Sequence, residues 1–453
     1  MKRRDFLRTA AHAGGLSAAA SIGLLGSLQA QAATAPGGYK ALVCVFLYGG
    51  NDGLNTVVPR DAARYAQYAG VRKKLAVAQA DLIPLGADYG LHPSLAALAP
   101  LWQAGVLAPV FNVGPLAVPL SKADLKTKAL PDNLFSHSDQ QTLWECAGRS
   151  VLARTGWGGR LAAQAGIGPV IALGSAGRFG SSDAGAALAL PGPGEDFSPG
   201  GWFGGPNAAR RAALETMARA SYTNRLMQAY GGVQKSALDT SAALGPVLKL
   251  TPGATSTDPI DLAFGKLTGA LNTPLAKQLY QVAKLIRHGS TNGSGPQVFV
   301  VAQGGYDTHA DQLTRHPKLL AELGPALAAF YDATLRIGQA QAVTSFTMSD
   351  FGRTFAPNSS SGTDHAWGNH QLVIGGAVSG GKTYGQYPEL VLGGKDDVGV
   401  ESWERHGRWI PTIAVEQYAA TLARWFGLSP SQIAATLPGL GNFPQADLGF
   451  MLA

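Results

Sequence analysis

Only two cysteines, Cys44 and Cys146, occur in 453 residues, so no network of disulfides organises this chain. An oxidising destination would allow the two to pair, but Cys44 lies in an apolar run and could equally be a small buried hydrophobe. Charge is scarce as well, at 14% of residues, which describes a folded protein with an unusually uncharged surface. No basic and aromatic residues interleave as a nucleic-acid partner would require. The glycine-rich stretch around Arg154 and Arg160 lacks the lysine and the spacing of a phosphate-binding loop. No repeat suggests a solenoid or propeller, and no stretch beyond the first 32 residues is a convincing transmembrane span.

What the chain has in quantity is apolar residues, at 46%, and 59 glycines. That combination implies an extensive core with many tight turns and close backbone approaches. The formal charge of +7 is inflated at one end, where Lys2, Arg3, Arg4 and Arg8 against Asp5 supply +3. The remaining 32 basic and 28 acidic residues leave only +4, too weak and dispersed to specify a polyanionic partner. That same end has a basic start, an Ala/Gly/Leu-rich middle and an Ala30-Gln31-Ala32 finish. Residues 1–32 are expected to be a twin-arginine export signal, handled by the corresponding export machinery and excluded from the fold; an uncleaved membrane anchor is the alternative.

The apolar runs at 40–50, 106–113, 169–173, 298–302, 342–348 and 371–377 are continuous rather than alternating. They predict strands covered on both faces, as in a mainly parallel sheet. Helices are expected at 61–69, 92–104, 208–226, 235–248, 262–288, 318–336 and 412–426. Their alternation with the strands predicts an α/β fold, with residues 33–453 as one domain and a helical insertion or cap at about 175–290. The glycine-, serine- and proline-rich stretch 174–204 is expected to be a surface excursion. The strand, helix and strand of 297–353 form a βαβ unit that would bring Asp307 and Asp350 to one sheet edge.

Polar groups gather where these strands end. Asp307, His309, Asp311 and His316 follow the run at 298–302, and such groups are costly to bury unless paired, hydrogen-bonded or bound to a metal. Asp52 sits in an Asn-Asp-Gly turn that could serve a site or simply a tight bend. Ser136 or Ser138 could cap a helix, or place a hydroxyl and the His137 imidazole at a helix N-terminus suited to anions. Asp350 and Arg353 close another strand. Asp364, His365 and His370 share a loop that is either a site or a local polar network.

Taken together, FLYGGNDGLNTVVP, FSHSDQQ, GGYDTHADQ, SDFGRT and DHAWGNH, with the export signal, resemble the DUF1501 family of exported proteins. The resemblance spans nearly the whole mature chain, and the family is similar in layout to the alkaline phosphatase and sulfatase superfamily. It implies an alkaline-phosphatase-like three-layer sandwich with a central, mainly parallel sheet and metal ligands at one edge. It also implies a divalent metal, zinc, calcium or magnesium, held among Asp52, Asp307, His309, Asp311, Asp350, His365 and His370. Ser138, or else Ser136, would be the nucleophile unless a metal-bound water takes that place, with His137 as acid, base or ligand and Arg353 or a helix N-terminus offsetting anionic charge. The sequence departs from that superfamily in having Phe351 after Asp350, His309 two residues after Asp307, and no cysteine-centred sulfatase motif near Ser138. The expectation is a periplasmic or secreted metal-dependent hydrolase of phosphate or sulfate esters, small or polymeric. A catalytically degenerate binding or surface-assembly protein is the alternative.

Overall fold

The computed structural model describes residues 38–148, 150–191, 208–248, 256–265, 273–399 and 405–452. The export signal and residues 192–204 of the expected surface excursion lie outside the described residues.

Strand β1 (Ala41–Leu47) is buried at every position, and its alternate side chains enter different cores. Val43, Val45 and Leu47 join one apolar cluster, while Leu42, Cys44 and Phe46 join another. A continuous apolar run therefore means two covered faces, and the molecule is a three-layer sandwich. A small sheet of β2 (Val57–Pro59), β3 (Ile83–Leu85) and β4 (Tyr89–Leu91) stands apart from the main one. The main sheet adds β5 (Leu107–Gly114), β6 (Ile171–Leu173), β7 (Leu188–Leu190), β8 (Gln297–Gln303), β9 (Val343–Ser349), β10 (Asn369–Gly375) and β11 (Ile413–Ala414), in the order β11-β5-β10-β9-β1-β8-β6-β7. Its pairings are parallel except those of β10, which runs antiparallel to both β5 and β9. The sheet is thus mainly parallel, as expected of an alkaline-phosphatase-like sandwich.

The longer or site-bearing helices are α1 (Gly53–Thr56), α2 (Ala62–Arg72), α3 (His137–Cys146), α4 (Trp157–Gln164), α5 (Ala208–Arg219), α6 (Arg225–Leu248), α7 (Pro259–Gly265), α8 (Pro274–Thr291), α9 (Gln312–Arg336) and α10 (Val415–Phe426), and two further short helices span Ala99–Gln103 and Pro430–Thr436. Leu279, Val282 and Ile286 of α8 and Leu320, Leu323 and Leu327 of α9 cover one face. Trp157 and Leu161 of α4 and Tyr418 and Leu422 of α10 cover the other. The unit β8-α9-β9 crosses over β1, so β9, β1 and β8 are parallel neighbours with their carboxyl ends together.

Several expected boundaries move. The expected helix at 92–104 begins as a 3-10 helix, Pro93–Leu98, before an α-helical turn. Leu188–Leu190, inside the expected excursion, pairs with β6 as the edge strand, because its short apolar run can bury two side chains there. Helix α9 starts at Gln312 rather than after Pro317, held by Gln312 side-chain bonds to Asp52 and from Thr308 and Thr363. Cys44 and Cys146 are both buried free thiols.

Glu416, in the first turn of α10, is buried, and one of its carboxylate oxygens has no hydrogen-bond partner among the described residues. Burial raises its pKa from 4.5 to about 7. The native state holds this proton more tightly than the unfolded chain, so the associated stability is fully present below 4.5 and is lost as pH rises through about 7. Glu416→Gln is expected to stabilise the protein by up to roughly 3 kcal/mol near pH 8, with little gain near pH 4, in urea unfolding. An equal gain at both pH values would contradict a titrating Glu416.

Candidate metal centre

The carboxyl ends of β9, β1 and β8 deliver Asp350, Gly49 and Asp307 to one edge. Open α/β sheets generally present their ligands there. Asp350 follows β9 directly and accepts from the Gly49 N–H at 3.1 Å. Gly49 has φ +110°, and a Cβ on it would lie 2.5 Å from the Asp307 nitrogen, so only glycine allows this approach of the β1 and β8 ends. The loop at 358–365 runs beside 308–312, with Thr363 N–H donating to the Thr308 carbonyl at 3.1 Å. An isolated antiparallel bridge sets Arg353 opposite His365. Helix α3 brings His137 from a third direction as its first residue, after Ser136.

Four side chains converge there: His137, Asp307, His309 and His365 each offer one ligand atom, and these atoms all lie within 4.8 Å of one another. Asp307 Oδ1 is the hub, 3.1 Å from His309 Nε2, 3.4 Å from His137 Nε2 and 3.7 Å from His365 Nε2. Four-coordinate ions with bonds of about 2.0–2.1 Å hold their ligand atoms about 3.3 Å apart, which these three distances bracket.

Every imidazole uses its other nitrogen. His137 Nδ1 donates to Asp350 Oδ2 at 2.8 Å, His309 Nδ1 to Asp364 Oδ1 at 2.7 Å and His365 Nδ1 to the Phe135 carbonyl at 2.7 Å. A carbonyl or carboxylate can only accept, so in each neutral ring the Nε2 atom carries the lone pair. Yet His309 Nε2 and His365 Nε2 lie 2.8 Å apart. Two lone pairs so placed repel unless a proton on one of them or a metal ion lies against them. The donor set of three imidazoles and one carboxylate, oriented by outer hydrogen bonds, therefore fits a divalent metal ion.

The electrostatics agree with the placement. The Asp350 hydrogen bond raises the His137 pKa above its ordinary value despite partial burial. Burial lowers His365 to about 4, with Arg353 adding to the effect, so this ring is neutral at ordinary pH. Burial acts to raise Asp307, but its hydrogen bond from Arg353 prevails and the net shift is downward. The Asp307 and His309 side chains remain 46% and 43% exposed, so the cluster opens to solvent.

The other expected site residues take different places. Arg353 is fully buried; it donates to Asp307 at 2.7 Å and to the carbonyls of Gly49, Gly50, Tyr306 and Thr363. It lies beneath the cluster and fixes Asp307. Asp350 touches the cluster through His137. Ser138 is in the first turn of α3, with its hydroxyl 3.3 Å from that of Ser136. Asp52 is outside the cluster and fully buried, its carboxylate engaged by Arg72, Gln312 and the Asn55 N–H. Asp311 is the N-cap residue before α9, with φ 50°, and is exposed and outside the four converging side chains. His370 is buried on β10; its Nδ1 accepts from Asn112 N–H at 3.1 Å, and its ring packs against Phe111, Tyr387 and Trp409. Sequence reasoning placed Asp364 in a loop that was either a site or a polar network but gave it no role of its own, and it gave none to the Phe135 carbonyl. The adjacency of Asp364 to His365 was a signal for the first, whereas Phe135 presents its carbonyl from a positive φ of 74° that no pattern reveals.

Fold and cluster together define a three-layer α/β protein with a His3Asp centre at the carboxyl edge of its sheet. The family model DUF1501, described as a protein of unknown function, matches residues 210–434, and the chain belongs to that family. No curated protein matches it. Among solved structures it is similar to the PsFucS1 sulfatase from Pseudoalteromonas sp., at 11% identity and a TM-score of 0.36, over 96% of this chain and 76% of that one. It is also similar to Ps i-CgsB in complex with k-i-k-neocarrahexaose, at 11% identity and a TM-score of 0.33, over 87% of this chain and 74% of that one. At that level neither structure bears on the chemistry of the cluster.

Proposed function

We propose that the protein is an exported hydrolase of phosphate or sulfate esters that uses one divalent metal ion held by His137, Asp307, His309 and His365. The observation carrying this reading is the convergence of three Nε2 atoms on Asp307 Oδ1, each ring oriented through its Nδ1. When bound, the ion supplies Lewis-acid polarisation of an ester oxygen. Arg353 keeps Asp307 ionised and aimed at the cluster. Asp350 orients His137, and Ser138, one residue along the same helix turn, supplies the attacking hydroxyl. The twin-arginine segment at residues 1–32 supports a periplasmic or secreted location.

A two-metal site of the phosphatase kind is less well supported, because Arg72, Gln312 and Asn55 already occupy Asp52. Phe351 also stands where a second imidazole would follow Asp350. With zinc, calcium or magnesium added, the exported protein is expected to release nitrophenol from p-nitrophenyl phosphate or p-nitrophenyl sulfate. His309→Ala and His365→Ala should lose that turnover with unchanged circular dichroism. Full turnover in Ser138→Ala would remove the serine nucleophile and leave water as the attacking group. Stoichiometric metal without hydrolysis of any ester would favour the binding-protein alternative.

A further inference from the structure

We infer that Asp364 is a positioning residue: it fixes the tautomer and tilt of His309 so that the Nε2 lone pair faces His365 and Asp307. This rests on the metal centre proposed above and adds to it a residue outside the ligand set. Asp364 Oδ1 accepts from His309 Nδ1 at 2.7 Å and from Asn358 Nδ2 at 3.0 Å, while Asp364 N–H donates to Thr354 Oγ1 at 3.1 Å. The cradle is built back onto His309 itself. Asn358 Nδ2 also donates to the His309 carbonyl at 3.0 Å, and Asn358 Oδ1 accepts from the Ser360 and Gly362 N–H groups. A Cβ on Gly362 would lie 2.1 Å from the His309 carbonyl carbon, so the two loops meet only because that residue is glycine. His309 is 43% exposed, and packing alone leaves such a ring free to turn. The carboxylate is what removes that freedom, and outer partners of this kind typically set metal affinity by about 10–100-fold.

The test uses the full mature protein, exported and folded, with Zn2+ as the probe against a chromophoric chelator. Asp364→Ala is expected to weaken zinc binding by about 10–100-fold, and Asp364→Asn, which keeps an acceptor oxygen, to recover part of the loss. In metal-free protein the His309 ring nitrogens, assigned against His309→Gln by 15N NMR, should report a proton on Nδ1 in the parent. In Asp364→Ala they should report a mixture of both tautomers. Zinc affinity within twofold of the parent, or an unchanged tautomer in Asp364→Ala, overturns the assignment. If the parent itself binds no zinc, the metal centre falls, and the tautomer measurement alone decides the role of Asp364. If Asp364→Ala does not fold, Asp364→Asn decides: a tautomer and affinity identical to the parent would show that the charge is irrelevant to positioning.

Discussion

Asp307→Ala is expected to weaken divalent-metal binding by more than about 100-fold, since losing an outer partner alone costs about 10–100-fold and Asp307 is the hub of the inner set. Its Oδ1 is the one atom that faces all three Nε2 atoms, at 3.1, 3.4 and 3.7 Å. The fold should survive, because Arg353 retains its four carbonyl acceptors when the carboxylate is removed. The Asp307 side chain is also nearly half exposed, so its removal opens no large cavity. Calorimetric titration with zinc, together with elemental analysis of protein purified from its exporting cell, measures the effect. Parent-like stoichiometry and affinity in Asp307→Ala would sink the proposed centre.

The second large effect lies outside the cluster and has the opposite character. Arg72→Ala is expected to destabilise the fold by roughly 3–5 kcal/mol, the usual cost of stripping one partner from a buried ion pair. Both side chains of the Arg72–Asp52 pair are fully buried. Arg72 also donates to the carbonyls of Thr354 and Phe355, tying α2 to the segment after β9. Asp52 left alone in that setting is an uncompensated charge in a low-dielectric interior. The double variant Asp52→Asn/Arg72→Met should recover most of the loss, since replacing a whole buried pair is often close to neutral. Urea unfolding of the parent, both single variants and the double variant gives the coupling directly. A loss below about 1 kcal/mol in Arg72→Ala would mean that the pair is not structurally important, and would return Asp52 to consideration as a ligand.

These two carboxylates show where sequence patterning stops being informative. Asp52 and Asp307 both follow continuous apolar strands and both sit in glycine-containing turns, so in sequence they look equivalent. The difference lies in what else meets them: the Asp52 carboxylate is taken up by Arg72 of α2 and by Gln312, whereas Asp307 Oδ1 accepts from Arg353 and also faces three imidazoles. His365 and His370 pose the same problem. They are five residues apart in one motif, yet His365 precedes the turn into β10 and faces the cluster, whereas His370 is inside the strand among aromatic rings. His137 was legible as a group at a helix start, but its pairing with Asp350 spans 213 positions and needs the sheet to exist first.

By itself the sequence determined the three-layer α/β class, because runs such as 41–47 are apolar at every position and demand cover on both faces. It also determined that polar residues collect at the carboxyl ends of β1, β8 and β9, because the βαβ crossover has only one hand and brings parallel ends together. The tertiary structure alone decided the reversed β10, the edge strand at Leu188–Leu190 and the membership of the centre. That membership depends on which lone pairs meet within a few ångströms. Such distances are set by long-range packing and by hydrogen bonds to Asp350, Asp364 and the Phe135 carbonyl, not by spacing along the chain.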